Sequence, residues 1–205
     1  MNPLRQGQMT GLWSEMGQDA WAEALARYPA VVEAQGVKPL AALDAWTRDE
    51  LPARIVGRPV PHVTLDELVR VTEWKMARGV WRARNLALVR GNDPALVERV
   101  STDALSQVGD ERAPIEVLAE LAGVGPATAS AIAAAAAPAI YPFFDELVAG
   151  QVPGLGKVAF TIPYYLRYAA ALRERAGALG RRWTPVMVER ALWAFAGGKA
   201  GRRGS

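Results

Sequence analysis

Residues Leu121 to Glu146 read LAGVGPATASAIAAAAAPAIYPFFDE. Two glycines flank one valine, an alanine tract follows, and the stretch closes on aromatics and acids. Gly123 and Gly125 permit a tight hairpin with positive φ and leave the loop bare, so a flat or charged group can approach the backbone itself. Pro126 has the fixed φ of a first helical turn, and Pro138 ends the alanine-rich run. Upstream, PIEVLAEL leads straight into the glycines with helical spacing. The spacing predicts helix, tight hairpin, helix over about 114–137.

The rest of the chain carries the same period. In TLDELVRVTEWKMARG (64–79), Thr64 and Glu67 form a capping box, Leu65, Leu68, Val71 and Met76 supply an apolar stripe, and Gly79 ends the helix. A second piece, VWRARNLALVRG, stops at Gly91, and Asp93-Pro94 caps and opens the next helix. Near the start, Trp21, Leu25 and Tyr28 share a helical face that Pro29 perturbs or ends. Prolines 52, 59 and 61 make 36–61 mostly connector, with one helical piece around Leu40 to Trp46. After the hairpin come a short helix in DELVAG, a loop in QVPGLGKVAFTIP, and helices in YYLRYAAALRERAGAL and TPVMVERALWAFAG. We expect an all-α fold of about nine or ten helices, in two lobes around a cleft with the hairpin at one wall. It forms a single domain over 1–196, followed by a flexible basic tail at 197–205.

Composition narrows the chemistry. The absence of cysteine removes disulfides, thiolate metal sites and iron–sulfur clusters, and favours an intracellular location. No segment has the apolar length of a membrane span. A net charge of +3 suits a polyanionic partner. Twenty of the twenty-four basic residues are arginine, a bias that genome composition explains as readily as phosphate binding. His62 is the only histidine, so a His-rich metal site cannot be assembled, and no Ser-His-Asp triad pattern is present. GLGK at 154–157 lacks the strand and helix that flank a nucleotide-binding loop.

LAGVGPATASAI resembles the helix-hairpin-helix motif of DNA-repair proteins, in which a leucine, a small residue, Gly-x-Gly and Thr-Ala recur. The resemblance implies that hairpin amides bind a DNA backbone phosphate, often with a monovalent cation; the physical basis is the exposed N–H groups and the positive end of the following helix. Gly123, Val124, Gly125 and Thr128 would form that surface. The wider likeness, over about 120–146, is to the helix-hairpin-helix DNA glycosylases, whose catalytic aspartate lies about twenty residues beyond the second glycine. Asp145 stands at that offset, where its charge would stabilise the cation that develops on the sugar as the glycosidic bond breaks. Ala127 occupies the position of the lysine used for backbone cleavage in one branch, so a monofunctional N-glycosylase without a lyase step is implied. Glu146 departs from the small or hydroxyl residue of the family, and a second carboxylate there would repel phosphate.

Each assignment has a structural alternative. Gly-x-Gly between helices serves equally as a bare turn, with the Ala129–Ala137 face packing on a partner helix in a protein-interaction module. Asp145 serves equally as a helix N-cap. Arg70, Lys75, Arg78, Arg82, Arg84 and Arg90 make the densest basic stretch, against Glu73 alone and with Trp74 and Trp81 interleaved. The tryptophans are assigned to the core, and Arg78, Arg82 and Arg84, near the Gly79 turn, to DNA contacts. The expectation is a monomeric DNA-binding protein of base-excision-repair type, cytoplasmic or nucleoid-associated, with no cofactor beyond the hairpin cation.

Overall fold

The computed structural model describes residues 11–199 and the backbone of 202–203. It is all-α. Helices α1 (Gln18–Ala26), α2 (Tyr28–Ala34), α3 (Leu40–Ala45) and α4 (Leu51–Val56) lead to the long α5 (Leu65–Arg78). A two-residue strand β1 (Val80–Trp81) precedes α6 (Ala83–Arg90), α7 (Pro94–Ser106), α8 (Ala113–Leu118) and α9 (Pro126–Ala136). The chain closes with α10 (Glu146–Ala149), α11 (Ile162–Leu179), α12 (Pro185–Phe195) and the strand β2 (Arg202–Arg203). No helix among the described residues is long and apolar enough to cross a membrane.

The predicted boundary signals act as the chemistry requires. Thr64 and Glu67 form the reciprocal capping box of α5, and Asp93, Asp145, Thr161 and Thr184 each cap a helix through the side chain. The sequence reading falls short at 46–56. There the chain does not become connector, because a π-helical turn (Trp46–Glu50) carries α3 into α4, and Pro52 sits in the first turn of α4, where its missing N–H costs nothing. Pro29 likewise opens α2, and with these pieces the described residues hold twelve α-helical segments. Within the expected tail, β2 pairs in parallel with β1, Val80 opposite Arg202.

The helices fall into two groups over one continuous core: α5 to α9 pack together, α1, α2 and α11 pack around α12, and α3 and α4 bridge to α5 and α9. Helix α9 lies between α4, α5 and α8, and Ala127 through Ala133 are all buried. A helix apolar on every side must be enclosed, and its short side chains let the neighbours close in. This buried alanine helix fixes the hairpin at its N-terminus.

Candidate nucleic-acid interface

The hairpin is clamped from α6. Gly123 takes φ +76°, and a Cβ there would lie 2.7 Å from the Asn85 carbonyl oxygen and 2.9 Å from Val89 Cγ2. Only glycine fits both the conformation and the space. Asn92, just past α6, completes the clamp: its Nδ2 donates to the Ala122 carbonyl at 2.9 Å and its Oδ1 accepts from the Ala122 N–H at 2.9 Å.

The N–H groups divide within this turn. Val124 N–H donates to Leu121 O at 3.0 Å and Thr128 N–H to Gly125 O at 3.0 Å. Gly123, Gly125 and Ala127 N–H make no hydrogen bond among the described residues, and the last two stand at the positive end of α9. Gly125 has ordinary extended backbone, φ −106° and ψ −179°, with open space where a Cβ would point. Its value lies in the bare lip it leaves beside the amides. The carbonyls of Leu121, Ala122 and Gly125 already accept hydrogen bonds. The Gly123 and Val124 carbonyls accept no hydrogen bond among the described residues.

Beneath the lip opens a cavity of about 430 Å³, lined by Gly125, Pro126 and Ala127 with Lys75, Arg82, Asn85, Asp145 and Glu146, and with Phe143, Phe144 and Phe160 as apolar wall. Lys75, half-buried on the last turn of α5, makes no ion pair or hydrogen bond among the described residues. Burial, with Arg82 nearby, lowers its ammonium to about 8.

Asp145 reaches this cavity at the end of an extended segment that α9 and α11 tether. Ser130 Oγ accepts from Phe144 N–H at 2.9 Å, Tyr168 OH donates to Phe143 O at 2.7 Å, and Tyr165 OH donates to Pro142 O at 3.2 Å. Asp145 Oδ1 caps α10, accepting from Leu147 N–H at 2.8 Å and Val148 N–H at 3.3 Å, while Oδ2 stands 3.3 Å from Arg78 Nε. Glu146 is answered by Lys199 Nζ at 3.2 Å. Asp145 shares Arg78 with Glu189, while Lys75 and Arg82 make no ion pair among the described residues.

Three residues assigned to the phosphate surface from sequence lie elsewhere. Arg78 is fully buried, paired with Glu189 and Asp145 and stacked over Trp193, its centre 4.5 Å from the ring centroid. It is an organising core cation, and burial pushes its Glu189 partner up to about 7. Thr128 is buried within α9, and Val124 is buried with its amide engaged. Arg82 and Arg84 are exposed, but only Arg82 lines the cavity. Trp74 is core as expected, whereas Trp81 is exposed beside Arg82. The sequence reading missed Lys75 as a cavity residue, although it lay in the basic stretch, on the same helical turn as Arg78. Family models, curated proteins and solved structures give no match to this chain.

Proposed function

We propose that the protein binds DNA, holding a backbone phosphate on the Gly123, Gly125 and Ala127 amides with Lys75 and Arg82 as counter-charges. One observation carries this reading: unpartnered N–H groups at the N-terminus of a buried helix open onto the same cavity as an ammonium that has no carboxylate of its own. Such an ammonium costs stability where it stands, and a phosphate would supply the missing charge. Arg84, exposed on α6, extends the positive face along a duplex, while Arg90 is paired with Glu73 at 2.7 Å.

Binding is better supported than excision. Asp145 lines the cavity, the one geometric point in favour of glycosidic chemistry. Its two oxygens are committed to the α10 cap and to Arg78, which neutralises the charge an oxocarbenium ion would need. The Ala129–Ala137 face of the interaction-module alternative is buried from Ala129 to Ala133 and half-buried at Ala134, Ala136 and Ala137.

Titration of a fluorescein-labelled duplex at several salt concentrations tests the proposal. We expect saturable binding at low salt, with log K falling against log[salt] at a slope of about −2 to −4 for a few phosphate contacts. No affinity at low salt, or affinity without a salt slope, overturns it. Oligonucleotides carrying uracil, alkylated or oxidised bases, assayed in parallel for abasic sites, test excision; cleavage that Asp145→Asn abolishes would restore the catalytic reading.

A further inference from the structure

Lys75 stands apart from the other lysines of the chain. Lys38 and Lys157 are exposed, and Lys199 is paired with Glu146. Only Lys75 lines the hairpin cavity, half-buried and without a hydrogen bond or ion pair among the described residues. Its Nζ still reaches solvent, unlike Thr128 Oγ1, which is sealed without a partner.

An amine so placed has what attack on a carbonyl requires. Burial and the neighbouring Arg82 guanidinium lower its ammonium to about 8. About half of the molecules therefore carry the neutral amine near that pH, against under about 1 % for an ordinary lysine. Desolvation and a nearby cation are the two means by which a lysine is activated as a nucleophile. The cavity also supplies a place for the electrophile. Phe143, Phe144 and Phe160 form an apolar wall that limits water, and Gly125 and Ala127 bring their unpartnered amides to the rim. Asp145 and Glu146 share the lining, but Arg78 and Lys199 hold them, so neither neutralises Lys75.

We propose that Lys75 forms an imine with an aldehyde that carries a phosphate, the phosphate resting on the Gly125 and Ala127 amides while the carbonyl carbon meets Nζ. This rests on the phosphate site proposed above. An abasic deoxyribose in DNA and a free sugar phosphate both have this chemistry. The amine lone pair forms the C–N bond as the carbonyl π pair moves to oxygen, and proton exchange with solvent gives a carbinolamine. Its hydroxyl takes a proton and leaves as water, so amine, aldehyde and one proton become an iminium ion and water. The iminium carries the same single positive charge as the ammonium, and a bound phosphate keeps its counter-charge throughout. Hydrolysis runs the same steps backward and frees the lysine.

Reductive trapping with cyanoborohydride reads the imine directly, because the reagent delivers hydride to the iminium carbon and fixes it as a secondary amine. The full chain is incubated with glycolaldehyde phosphate, with glycolaldehyde, and with a labelled duplex carrying one abasic site; intact mass and peptide mapping locate the adducts. We expect an adduct at Lys75 on at least one phosphate-bearing aldehyde, formed at least about tenfold faster than on glycolaldehyde. Trapping of the abasic duplex alone assigns the source to DNA, and trapping of glycolaldehyde phosphate alone assigns it to a free sugar phosphate. Lys75→Arg keeps a cation but has no attacking lone pair, so its adduct should disappear while thermal melting shows a folded chain. The proposal fails if no adduct maps to Lys75, if the adduct survives Lys75→Arg, or if glycolaldehyde is trapped as fast as both phosphate-bearing aldehydes. Binding of intact duplex without any trapping overturns the imine and leaves the phosphate site standing. Trapping of glycolaldehyde phosphate at Lys75 without duplex affinity overturns DNA binding and supports the imine.

Discussion

Replacing Gly123 with alanine, with Gly125→Ala as its control, separates the two duties of the hairpin. At Gly123 the new Cβ meets a left-handed φ of +76° and a backbone oxygen at 2.7 Å, closer than carbon and oxygen can approach, with Leu88 Cβ a further 3.0 Å contact. The conformation costs about 1 kcal/mol and the overpacking against α6 about 1–3 kcal/mol, a total of about 2–4 kcal/mol. For a domain of this size each kcal/mol moves the midpoint by about 2–4 °C, so Gly123→Ala should melt roughly 5–15 °C lower. At Gly125 the added Cβ touches nothing within 4 Å and φ is −106°. Alanine there caps a helix less well than glycine, but it restricts the unfolded chain, so the net change should stay within about 1 kcal/mol. Differential scanning calorimetry of the three proteins, with labelled duplex affinities in parallel, gives both readings. Gly123→Ala should be lost through stability, whereas Gly125→Ala should fold normally and bind DNA several-fold more weakly because a methyl crowds the amide lip. A Gly123→Ala cost below about 1 kcal/mol, or an equal cost at Gly125, would refute the reasoning.

Lys75→Met should stabilise the protein near neutral pH by about 1 kcal/mol, an allowance for the half-exposed position of a charge that burial disfavours, and weaken duplex binding; denaturant melts alongside affinities check both halves. Because the folded-state Lys75 sits near 8, below its ordinary 10.5, wild-type stability should fall as pH drops from about 10 to 8 relative to Lys75→Met. Glu189 has the opposite sign: its carboxyl, raised to about 7 from 4.5, contributes stability that is complete below pH 4.5 and declines as pH rises toward 7. A pH series of urea melts should show that decline in wild type and its absence in Glu189→Gln. Arg78→Met, which strands Glu189 and Asp145 together, should cost about 3–5 kcal/mol.

Helix ends were legible in the sequence at Thr64, Asp93 and Asp145, which occupy the positions their types foretell, but not at Thr161, which reads as loop and caps α11. The hairpin was legible because glycine and proline punctuate the backbone directly. The run from Leu40 to Val56 was not, because a proline in a first turn reads like a proline in a loop until the π turn before it is seen. Arg78 misled for a related reason. A guanidinium is presumed solvated unless its partners are known, and Glu189, Tyr28 and Asp145 come to it from distant parts of the chain. Lys75 escaped notice because the unpaired state of an ammonium is a tertiary property.

The most direct test of the hairpin as a phosphate site is an amide chemical-shift titration of the isotopically labelled protein with a short duplex. The account predicts that the Gly123, Gly125 and Ala127 amide signals move furthest, that those of Val124 and Thr128, whose N–H groups already donate to Leu121 O and Gly125 O, move less, and that Lys75→Met reduces the shifts. Perturbations confined to other surfaces, or a hairpin unmoved at saturating duplex, would contradict it.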